Sequence, residues 1–126
     1  MKGGTHMKLV LQKDQKKGLT GKVAFSIRAK AELTEEETSN IAKYKVGKTI
    51  LYTNLSDRGK GVLGMISRAA MGLEISINDL VKGKIVECKD IYEMLALEDQ
   101  MKEACKNFKQ ILNIMATFGG EEVLEF

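Results

Sequence analysis

One stripe in the last third of the chain constrains the fold more than any other feature. Between residues 90 and 118 (DIYEMLALEDQMKEACKNFKQILNIMATF), Met94, Leu97, Met101, Cys105, Phe108, Leu112 and Met115 recur at alternating spacings of three and four. That spacing predicts one face of a helix. Ile91, Leu95, Ala104 and Ile111 widen the face. Asp90 suits the cap position, Glu93 completes a capping-box-like signature, and Gly119-Gly120 supplies the stop. The 29 residues of this stretch span roughly 43 Å at about 1.5 Å each. A domain of this size has a radius of gyration of only about 14 Å. The stripe is therefore core along its length, or core plus a homodimer seam made by the same seven residues, which about three heptads of such spacing allow.

The rest of the chain reads as a small sheet packed on that helix. Residues 8–13 (KLVLQK) and 22–31 (KVAFSIRAKA) alternate and predict a hairpin, with a turn through DQKKGLTG. Thr34 followed by Glu37 is a capping box, so a helix over 35–44 is expected, with acidic residues at its positive end. KTILYT (48–53) reads as a strand, VLGMISRAAM (62–71) as a short helix, and 73–77 as a short alternating segment. Ser76 or Asn78 is placed to cap a turn through Asp79. KIVECK (84–89) reads as a strand and EEVLEF (121–126) as a last one, pairing inside the sheet. The expected class is α+β: one mixed or mostly antiparallel sheet on a long amphipathic C-terminal helix, with one or two short helices.

At 126 residues the chain fits a single domain. The opening MKGGTH reads as an expression leader, leaving residues 7–126 as that domain. The one histidine, His6, falls in the leader, which removes the commonest general base and metal ligand from the rest. No metal spacing, zinc motif, catalytic triad or nucleophile elbow is present, and no cofactor is implied. No apolar run is long enough to cross a membrane. Cys88 and Cys105 sit in apolar patterns and read as buried thiols of a cytoplasmic protein.

Two glycine patterns imitate nucleotide sites. Gly59-Lys60-Gly61-Val62-Leu63-Gly64 is a literal G-x-G-x-x-G. Five residues separate it from the preceding strand, and the chain is short for a dinucleotide domain. A simpler anion site from Arg58, Gly59, Lys60, Gly61, Gly64 and Arg68 is the alternative. Val46-Gly47-Lys48-Thr49 resembles the end of a P-loop but leads into a strand, where a P-loop leads into a helix. Lys13, Lys16, Lys17 and Lys22 form a basic hairpin tip. With Arg58 and Lys60 it offers weak contact to nucleic acid, a partner that the modest net charge of +3 does not demand.

The sequence favours a small non-enzymatic cytoplasmic binding protein of bacterial type, homodimeric through the long helix. The alternatives are a pocket for an anionic or phosphorylated small molecule at 58–68, and weak nucleic-acid binding by the basic loops.

Overall fold

A computed structural model of the chain describes residues 6–51, 53, 73–121 and 123–126. It opens on a long antiparallel hairpin of β1 (Lys8–Lys17) and β2 (Val23–Glu32). The odd-numbered residues of β2 point inward: Ile27, Ala29 and Ala31 are buried, and Phe25 is half-buried. Leu9 and Leu11 extend that face onto β1, opposite Ala31 and Ala29. The even-numbered positions carry Lys8, Gln12, Arg28 and Lys30 on the other face.

The hairpin is longer than its alternation suggests. DQKK belongs to β1, and the turn shrinks to residues 18–22, closed by Gly18 N–H to the Lys22 carbonyl at 2.7 Å. From Gln12 to Lys17 every residue is exposed, so no apolar face marks the strand. Backbone pairing with β2 carries it, helped by an ion pair from Lys13 to Glu98.

Thr34 caps α1 (Glu35–Tyr44) with both halves of the expected box: its hydroxyl accepts from Glu37 N–H, and the Glu37 carboxylate accepts from Thr34 N–H. Among the described residues of KTILYT, Ile50–Leu51 form β3, which pairs with β4 (Ile75–Ser76) in a two-stranded ladder separate from the main sheet. Ser76 then caps a six-residue helix, α2 (Ile77–Lys82), through a second capping box with Asp79. β5 (Lys84–Cys88) pairs antiparallel with β2, giving the order β1-β2-β5.

The long helix, α3, runs Ile91–Ala116. Its 26 residues span about 39 Å. Asp90 accepts from Glu93 N–H as expected, but Glu93 reaches back one residue further, to Lys89 N–H at 2.8 Å. Leu97, Met101 and Phe108 are fully buried, and Met94, Leu112 and Met115 are nearly so. They pack in one core with β2, β5 and Ile41 of α1. Six of the seven stripe residues are thus covered by the chain's own elements, and Cys105 is half-buried. Ile91 and Ile114 lie outside the core at 58% and 56% exposure.

The chain is α+β, with a three-stranded antiparallel sheet on a long C-terminal helix. Among the described residues, no helix is long and apolar enough to cross a membrane. The expected final strand is not formed. Gly119 turns the chain with a φ of 92°, and residues 123–126 are exposed and outside any sheet.

Candidate functional site

The site is built where α1 ends. Its last turn closes in a Schellman motif: Val46 N–H donates to the Ile41 carbonyl at 3.2 Å and Lys45 N–H to Ala42 at 3.3 Å. The motif needs a left-handed residue, usually glycine. Here Lys45 takes it, at φ 55° and ψ 43°, the one described non-glycine residue with positive φ. Gly47 follows, and a Cβ there would collide with the Asn78 amide. Asn78 N–H donates to the Gly47 carbonyl at 2.8 Å, and Ile77 N–H to Thr49 at 3.0 Å. These contacts clamp α2 against the end of α1. The segment 46–49 that imitates a P-loop is this turn, and it leads into β3.

Between the two helices lies an open groove of about 550 Å³. Leu33, Ile41 and Val81 make an apolar floor, and Ala42 and Thr38 form the α1 wall. Lys45 and Lys48 stand on the rim, both exposed, and neither ammonium is in an ion pair among the described residues. Asn78 supplies an amide at the edge. The groove offers apolar contact below and two free cations above, which suits an apolar group carrying acidic charge.

Two other concavities differ in chemistry. One of about 340 Å³ lies between the hairpin and the start of α3, over Phe25, Ile91, Met94 and Leu95. Its cation is already used: Lys13 Nζ is 2.8 Å from Glu98, which also meets Lys102 at 3.5 Å. Hydrogen bonding and charge from Lys13 hold the Glu98 carboxyl below the usual glutamate value, against the cost of its burial. The other, about 790 Å³, lies where α3 ends, between Ile114, Phe118 and the chain that follows.

The sequence-selected residues fall as follows. Arg58, Gly59, Lys60, Gly61, Gly64 and Arg68 lie outside the described residues. Of the basic tip, Lys13 is tied to Glu98, whereas Lys16, Lys17 and Lys22 are exposed. Cys88 is buried, and burial, with Glu93 and Asp90 nearby, pushes its thiol up to about 11. Burial raises Cys105 as well. Both thiols are therefore protonated near neutral pH and poor nucleophiles. The groove was missed in the sequence because its residues come from separate segments. The one local trace was a helix ending on lysine, with no glycine at the left-handed position.

Compared with protein-family models, curated proteins and solved structures, the chain matches none. The groove's geometry therefore carries the functional reading.

Proposed function

We propose that the protein acts by binding, through the α1–α2 groove, a partner group that is apolar along one side and acidic along the other. The observation that carries this is Lys45. A side chain in the left-handed region costs about 1 kcal/mol relative to glycine. The lysine brings its charge to the rim of an apolar groove, beside a second unpaired lysine, Lys48. Backbone strain of this kind concentrates where a side chain serves a ligand. Both thiols are free, which suits the reducing cytoplasm.

The probe is 8-anilinonaphthalene-1-sulfonate, an apolar ring system with one anionic group. Native protein, titrated dilute enough to be a single chain, is expected to enhance its fluorescence saturably. Ala42→Glu combined with Lys48→Glu places acid on the wall and rim at exposed positions. The affinity should fall about tenfold or more, with the circular dichroism unchanged. Equal affinity in the variant would end the groove reading.

A further inference from the structure

The segment that the sequence marks as a strand has no place in its own sheet. Val123, Leu124 and Phe126 are 78%, 65% and 112% exposed. In an extended chain Leu124 and Phe126 share one side, which begins with Glu122, and Glu125 lies on the other with Val123 and Glu121. That is the pattern the groove suits: apolar side chains for Leu33, Ile41 and Val81, and carboxylates for Lys45 and Lys48.

We propose that residues 121–126 of one copy lie in the α1–α2 groove of a second copy, reciprocally, so that two chains close into a symmetric dimer by exchanging tails. This rests on the groove reading above. The charges are complementary, acidic on the tail and basic on the rim. The tail stays out of its own groove. Phe118 packs edge-on against Tyr44 at the end of α1, with ring centroids 5.1 Å apart. Beyond it Leu124 and Phe126 are exposed, and no described tail residue lines the groove of its own chain. A second copy presents the same groove, and a reciprocal pair leaves no tail or groove unfilled. The seam is then not the core stripe of α3 but the tail beyond it.

Sedimentation equilibrium tests this on the full chain, on a chain lacking 121–126, and on the Ala42→Glu/Lys48→Glu variant. The full chain should dimerise below about 100 µM, and the other two should stay monomeric. A labelled peptide of sequence EEVLEF should bind the shortened chain, should bind the groove variant about tenfold less tightly, and in excess should dissociate the full-length dimer. A monomeric full chain, or a shortened chain that still dimerises, overturns the exchange. A monomeric full chain whose groove admits the naphthalene sulfonate only after tail removal would mean that the tail folds onto its own groove. Dye binding that is lost in the groove variant, alongside a monomeric full chain, would leave the groove reading standing and remove only the exchange. Dye binding indifferent to the groove variant would remove both.

Discussion

Lys45 links the stability of α1 to the chemistry of the groove. Glycine at this position would relieve the left-handed strain without disturbing the Schellman hydrogen bonds, since these use only backbone atoms. Lys45→Gly is thus expected to raise the unfolding free energy by about 0.5–1 kcal/mol and to weaken binding of the naphthalene sulfonate. Urea melts and a dye titration on the same sample check both signs. A substitution that stabilises the fold while costing function separates a binding residue from a structural one. Glu98 makes the opposite case, a charge serving the fold. Its carboxyl is held below the ordinary value by Lys13, then by Lys102. A depressed folded value means stability that is present above the unfolded glutamate value, about 4.3, and lost as pH falls through the folded one. Glu98→Gln is expected to cost about 1 kcal/mol at pH 7, kept low by the half-exposed Lys13. It should also flatten the acid limb of the stability profile. Urea midpoints measured from pH 7 down to pH 3 would show a parallel offset instead if Glu98 stayed charged equally in both states.

At the scale of elements, the helices were the most legible. The capping box at Thr34 and the stripe of α3 are local patterns, and both are formed; at Ser76 the sequence marks only a capped turn through Asp79, and the structure makes it the six-residue α2. The strands were less legible, because pairing is a relation between distant segments. DQKK shows no apolar alternation yet pairs along its whole length with β2. EEVLEF has strand-like residues and pairs with nothing described, although β1 and β5 are edge strands with no described neighbour on their outer sides. The stripe itself leaves two readings open, core or core plus a dimer seam, because a periodic apolar face does not say what covers it. The structure covers it from within. Phe108→Ala, at a fully buried position, is accordingly expected to cost about 3–5 kcal/mol. Ile114→Ala, on the exposed side of the same helix, should stay within about 0.5 kcal/mol. Denaturant melts of the two variants decide it. Comparable losses would mean that both faces of α3 are covered in solution. The groove escaped sequence reading altogether. Leu33, Ile41, Lys48 and Val81 come from four segments that converge only once α2 docks under Gly47.

Among the described residues, Val123, Leu124 and Phe126 are exposed apolar side chains in a segment that adds no strand to the fold. Removing residues 121–126 should therefore leave the stability of a single chain unchanged. Had the segment been a strand inside the sheet, its deletion would strip an edge and several buried side chains, at about 1.5–3 kcal/mol for each large one. That loss would appear at every protein concentration. Tail exchange predicts a different dependence. Association stabilises only the folded state, so the gain grows with protein concentration relative to the dissociation constant. The full chain should melt with the shortened chain when both are dilute. It should then melt about 3–6 °C higher for each kcal/mol that association adds, between the scales for smaller and larger domains. The shortened chain should show one melting temperature throughout. Thermal scans of both proteins over a hundredfold concentration range, about 1 to 100 µM, separate the cases. A constant deficit in the shortened chain places the segment in the core fold, and a gap that opens only with concentration places it in a second copy.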